Sequence, residues 1–307
     1  MMLTRRHFMT TAGCSIAVAG SGANRGWAAS EITLGQMQIQ TLSDGHLSLP
    51  PDFIFGPMPK DLLPPVLKAN GIASGPLTPE CNVTLVRDGQ NVVLFDAGSG
   101  PAFQDTAGLL VDALDAVGLV PDDVTHVVFT HCHPDHLWGV LDDFDDPLFA
   151  NAEHMMGQTE WDYWFDPETV NTIQTERATM AVGARRRLEV LEDQMTLFGA
   201  SQEILPGVAA VASPGHTPGH MSFELRQGSN SVLVVGDAIG NHHVGFARPQ
   251  WHSGSDQDQV QAADTRQMLL DRLASEQMQL IGFHLPGGGI GRAEQTDDGY
   301  RFIPDPV

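Results

Sequence analysis

Basic residues are scarce in this chain: 16 Lys and Arg stand against 38 Asp and Glu in 307 residues, a formal net charge of −22. Such an excess repels phosphate backbones and anionic lipid surfaces. It argues against nucleic acid as a partner and points to a small, neutral or weakly charged molecule. Cysteine is rarer still. Cys14, Cys81 and Cys132 are too few for a disulfide framework, and Cys132 reads as a buried free thiol. Long blocks of like charge and low-complexity tracts are missing, which excludes extensive disorder away from the ends. What is plentiful is apolar: 42% hydrophobic residues, enough to build a sizeable core in one large domain or two small ones.

The N-terminus reads as an address. Arg5, Arg6, His7 and Phe8 precede a weakly apolar run, Thr11 to Gly22, and then Trp27-Ala28-Ala29-Ser30. A positive start, an apolar middle and a small-residue end make a signal peptide over residues 1–29. Its middle is too short and too polar for a membrane span. Arg5-Arg6 followed by Phe8 resembles the twin-arginine export motif, which implies the export machinery as a partner and a periplasmic or secreted mature protein. Residues 31–307 then form one domain, because no linker divides them.

Within that domain the pattern predicts an opening strand over Ile32–Leu42 with a turn at Ser43-Asp44-Gly45, and a long irregular loop over residues 50–80, rich in Pro and Gly. Strands are expected at 83–87, 92–95, 124–130, 208–212, 222–225, 232–235 and 279–283. Helices are expected at 106–117, 170–192 and 256–274.

The chemistry concentrates in Thr130-His131-Cys132-His133-Pro134-Asp135-His136. His131 and His133 alternate at a strand end and can point to one side. Pro134 bends the chain, and Asp135 and His136 can then face a second point. Three imidazoles and a carboxylate in six residues would be costly to bury without a metal. Zinc accepts both kinds of donor. His216 in a Pro-Gly-His-Thr-Pro-Gly-His turn, Asp237 in Gly-Asp-Ala, and His284 at a strand end follow the same habit of donors placed after β-rich runs. His46, His154, His242, His243 and His252 lack such company and read as ordinary histidines. His220 reads as a supporting residue at most.

These segments, in this order, resemble the metallo-β-lactamase superfamily. The resemblance covers residues 31–307. It implies an α/β fold, an αββα four-layer sandwich with the site at its open edge. It also implies two divalent metal ions, zinc foremost. His131, His133 and His216 would hold one ion, Asp135, His136 and His284 the other, and Asp237 would bridge them. In similar true β-lactamases no aspartate stands at the Asp237 place, so the resemblance points away from antibiotic hydrolysis. Leu42-Ser43-Asp44-Gly45, Phe95-Asp96-Ala97-Gly98 and the ending Gly291-Arg292-Ala293-Glu294 through Pro304 look like methyl parathion hydrolase and its lactonase-like relatives. Many lactonases of that kind carry a tyrosine three residues after the bridging aspartate; here Gly240 stands there.

The expected function is therefore a dinuclear metal-dependent hydrolase in which a shared hydroxide attacks a neutral ester, lactone or phosphotriester. Asp135 would pass a proton to the leaving group. Phe103 and Trp164 match two of the three pocket aromatics of the organophosphate enzyme and would line the substrate site; the third has no counterpart near Thr179–Met180. A glyoxalase-like thioesterase, an iron-dependent oxidoreductase of the same superfamily and a non-catalytic metal-binding module are the competing readings.

Overall fold

The computed structural model describes residues 28–72 and 74–306. The expected leader lies outside the described residues up to residue 27, and the first strand starts at Ala28. Seven strands form the first sheet: β1 (Ala28–Leu34), β2 (Met37–His46), β3 (Glu80–Arg87), β4 (Val92–Phe95), β5 (His126–Phe129), β6 (Glu153–Gly157) and β7 (Met195–Phe198), side by side in chain order. Seven more form the second: β8 (Glu203–Leu205), β9 (Val208–Ala212), β10 (Met221–Gln227), β11 (Asn230–Gly236), β12 (Gln279–Gly282), β13 (Ile290–Thr296) and β14 (Gly299–Pro304), again in chain order. Both sheets are mixed. Pairs β4–β5, β5–β6, β6–β7 and β11–β12 are parallel, and the others are antiparallel. Parallel neighbours need a crossover. Helix Leu110–Ala116 supplies one between β4 and β5, and helix Gln259–Ser275 another between β11 and β12.

Alternation along the strands decides the layers. In β4, Val93 and Phe95 pack with Phe223, Val232 and Val234 of the other sheet, whereas Leu94 packs with Leu114 and Leu188 of the covering helices. In β11, Val232 and Val234 face the first sheet, and Leu233 and Val235 meet Leu269, Leu270 and Leu273. Each fully buried side chain of this size contributes roughly 1.5–3 kcal/mol. Both faces of these strands are therefore apolar, and the result is the expected helix–sheet–sheet–helix sandwich.

Three local expectations are corrected. Residues 50–80 are not an irregular loop throughout: they contain helices Pro51–Phe55 and Leu63–Ala69, each with proline in its first turn, where the missing N–H costs nothing. Phe55, Met58 and Val66 pack against Val244 and fix this segment over the sheet edge. The first turn falls at Gly35 (φ +60°) and Gln36, not at residues 43–45, which lie inside β2. Asp44 there accepts from the amides of Ser99 and Leu110, so it ties loops together. The helix expected over 170–192 is broken into Thr169–Thr172 and Ala178–Leu191, with Ile173 extended between them. The break turns Arg177 inward.

Candidate metal centre

The seven donors expected from sequence come together. Each is at most 9% exposed. His131 and His133 follow β5, and Pro134 opens the four-residue helix that swings Asp135 and His136 round. His216 lies in the turn between β9 and β10, Asp237 directly after β11, and His284 two residues after β12. All sit along one edge of the two sheets. Gly236 makes the last bend before Asp237 at φ +52°; a Cβ there would lie 2.7 Å from His220 Nε2.

Two adjoining donor groups result. In the first, His133 Nδ1 lies 3.0 Å from His131 Nε2 and 2.8 Å from His216 Nε2. Nitrogens sharing a tetrahedral zinc at its usual bond length stand about 3.3 Å apart, close to this spacing. Burial, reinforced by neighbouring imidazoles, holds His131 and His133 well below the usual imidazole range. They are thus neutral, the form a metal requires. In the second group, His284 Nε2 lies 3.1 Å from Asp135 Oδ2, and His136 Nε2 3.5 Å from the same oxygen. Asp237 stands between the groups. Its Oδ2 is 3.3 Å from His216 Nε2 and 3.4 Å from His284 Nε2, and its Oδ1 is 3.4 Å from His136 Nε2.

The donor set fits divalent cations on a separate observation. Asp135 Oδ2, His136 Nε2 and Asp237 Oδ1 are buried and make no aligned hydrogen bond. Burial alone would raise both carboxyls, but the charges of His136 and His284 outweigh it and hold them well below the carboxylate range. Burial works to lower His136 and His284, yet Asp237 and Asp135 push both well above the imidazole range. The two aspartates therefore favour positive charge beside them. Bound cations can supply that charge.

The outward ring nitrogens are held by partners that fix which nitrogen faces in. His131 Nδ1 meets Thr130 Oγ1 at 3.0 Å, His136 Nδ1 meets Asp96 Oδ2 at 2.8 Å, His216 Nδ1 meets Asp256 Oδ1 at 3.0 Å, and His284 Nδ1 meets the Glu80 carbonyl at 2.7 Å. His133 is reversed: its Nδ1 faces in and its Nε2 faces Arg177. His220 accepts the Asp237 amide on Nε2 at 3.0 Å and so holds the backbone of the central aspartate. Glu160 joins the two histidine-bearing segments. Its Oε1 accepts from the Cys132 amide and Trp164 Nε1, and its Oε2 from Thr217 Oγ1 and the Gly219 amide. Burial pushes this carboxyl up to about 7, against the pull of those four donors. Cys81 and Cys132 are buried free thiols.

His133, Asp135, His216, Asp237 and His284 floor a cleft of about 330 Å³, with His131 and His136 buried behind them. Leu49, Phe53, Ile54, Ile72, Leu77, Phe103 and Met180 wall it, with Arg177, His242 and His243 among the polar residues. Phe103 stands where expected. Trp164 does not: it is fully buried, edge-on to His133, and its indole N–H is spent on Glu160 at 2.6 Å. A buried indole needs an acceptor, and the acceptor lies inside. His242 and His243, read as ordinary, border the cleft. Asp256, Glu160 and Arg177 were not singled out in the sequence, since a lone acid or base far from its partner leaves no spacing signal.

A four-layer sandwich carrying five histidines and two aspartates at its sheet edge defines a class of metal-binding α/β proteins. The chain belongs to the metallo-β-lactamase superfamily, whose model matches residues 78–277. It is similar to the N-acyl homoserine lactonase AttM of Agrobacterium fabrum (strain C58), 27% identical over 128 residues, 41% of this chain and 44% of that one. The N-acyl homoserine lactonase AiiA of Bacillus thuringiensis subsp. kurstaki is 28% identical over 130 residues, 42% and 44% of the two chains. The alignments thus span under half the length of these relatives. In structure the chain is similar to AidC, a dizinc quorum-quenching lactonase, with a TM-score of 0.85, 23% identity, and coverage of 92% of this chain and 99% of that one. The hydrolase AbOPH has a TM-score of 0.84, 26% identity and coverage of 91% and 98%.

Proposed function

We propose that the protein is a dinuclear metal-dependent hydrolase that opens a lactone or cleaves a closely related neutral ester, with zinc as its ion. The observation that carries this reading is the place of Asp237, within 3.4 Å of donors from both groups and with an oxygen left unsatisfied. The lactonase activity of AttM and AiiA and the apolar cleft support the substrate class. His131, His133 and His216 would hold one ion and Asp135, His136 and His284 the other, with Asp237 within reach of both. When bound, the ions bring the pKa of water toward neutrality and polarise the scissile carbonyl. Asp135, on the cleft floor, carries a proton to the departing alkoxide. Phe103 and the apolar walls take the acyl part and exclude water.

The test is metal-reconstituted protein on a panel of lactones, aryl esters and phosphotriesters. Two ions per chain by elemental analysis, and lactones or esters turned over fastest, support the reading. Asp237→Ala should lose most activity, and near-normal turnover in that variant would overturn the bridge assignment. No turnover of any member of the panel with two ions bound would sink the hydrolase reading. From residues 1–29 alone, export by the twin-arginine route to the periplasm or beyond is part of the same proposal, with residues 31–307 as the mature hydrolase domain.

A further inference from the structure

Arg177 lies in the break between two helices, is 2% exposed, and borders the cleft. It is the only arginine or lysine among the described residues that line it. Its Nε donates to Gln174 Oε1 at 3.2 Å, and its Nη2 donates to the carbonyls of Gly254 and Ser255 at 2.9 and 2.7 Å. A guanidinium has five N–H groups, so these bonds use three. Nη1 faces His133 Nε2 at 3.5 Å and makes no other hydrogen bond among the described residues.

His133 turns Nδ1, not Nε2, toward His131 and His216, so its Nε2 is the atom that Nη1 meets. One contact at 3.5 Å occupies at most one of the two Nη1 hydrogens. The other has no acceptor among the described residues, and an unmet charged donor is costly to bury. The cleft is the space that Arg177 lines. Gly240, also on the cleft wall, offers no side-chain donor in its stead.

We propose that Arg177 Nη1 anchors the substrate by binding a carbonyl or carboxylate oxygen set apart from the scissile bond. The preferred substrate is then an ester or lactone with a second oxygen acceptor, a specificity that the apolar walls cannot supply. This rests on the hydrolase reading for turnover but not for binding. Three lactones of equal tail length test it: one with a plain alkyl tail, one with an amide carbonyl beside the ring, one with a carboxylate in the tail. Turnover of each lactone is measured with metal-loaded protein, together with calorimetric binding of each ring-opened product.

Wild-type protein should favour one acceptor-bearing ligand over the alkyl one by about ten- to a hundredfold, the range of a charge-assisted hydrogen bond. Which of the two wins identifies the acceptor. Arg177→Met should abolish the preference, read as the ratio of each acceptor-bearing ligand to the alkyl one, with two ions still bound; Arg177→Lys should restore part of it. The proposal is overturned if wild-type protein shows no preference, or if Arg177→Met weakens all three equally, as a purely structural tie to Gly254 and Ser255 would. A binding preference that vanishes in Arg177→Met without turnover of any lactone would support the anchor and sink the hydrolase reading.

Discussion

Asp96 Oδ2 accepts from His136 Nδ1 at 2.8 Å from a backbone held at φ +72°. Left-handed backbone is unfavourable for a residue other than glycine, of order 1 kcal/mol. The carboxylate also takes the Thr130 amide and hydroxyl, at 2.7 Å and 2.8 Å, which offsets the strain and locks the strand end that precedes His131. Asp96 thus decides that His136 presents Nε2 to the site. Asp96→Asn should weaken binding of the second ion about ten- to a hundredfold, as loss of a histidine's outer partner does. Chelator competition would measure it, and an unchanged affinity would refute the role.

Trp164 should govern stability, not substrate choice. Trp164→Phe keeps most of the ring volume but removes the donor to Glu160. The expected loss is about 1–3 kcal/mol, the cost of a buried polar group left short of a partner, read from urea unfolding. Relative kcat/KM for large and small substrates should not move; a changed preference would return Trp164 to the cleft wall.

Glu224 provides an acid-sensitive tie. Arg226 and Arg272 both donate to its Oε2, at 2.6 and 2.8 Å, joining β10 to helix Gln259–Ser275. The hydrogen bond from Arg226, with help from Arg272, lowers the carboxyl from 4.5 to about 2. A lowered folded value means the stabilisation is full above about 4.5 and is lost as pH falls toward 2. The stability difference between wild type and Glu224→Gln should shrink over that window. A difference that stays constant from pH 6 to 2.5 would rule the tie out.

Export should depend on the arginine pair itself. Replacing Arg5 and Arg6 with lysines preserves charge and removes the motif. Fractionated cells should then retain the precursor. Mature protein outside the cytoplasm at the normal rate would contradict the leader reading.

The donors were legible because they are crowded: His131 to His136 occupy six consecutive positions, and strand ends announce His216, Asp237 and His284. The sandwich came from the resemblance to the superfamily, while apolar runs such as Val92–Phe95 and Val232–Val235 indicated only strands, whose two faces prove to be both buried. Asp256 was not legible, because it stands 40 residues from His216 and is brought to it only by packing. Trp164 misled for a related reason: a motif match to a pocket aromatic does not show that Glu160, inside the protein, claims its N–H. Prolines at 51 and 64 suggested a loop because a proline that opens a helix and one that prevents it look alike until the flanking contacts exist.

Each sheet follows chain order, so the molecule is two consecutive pieces laid face to face, one ending at Phe198 and the other beginning at Glu203. His131, His133, Asp135 and His136 belong to the first piece, His216, Asp237 and His284 to the second. Neither half owns a whole binding site. A ribosome that has released only the first piece has made four donors with nothing to complete them, and the centre comes into being in the same event that buries the seam. An ion held there acts as a rivet through both halves.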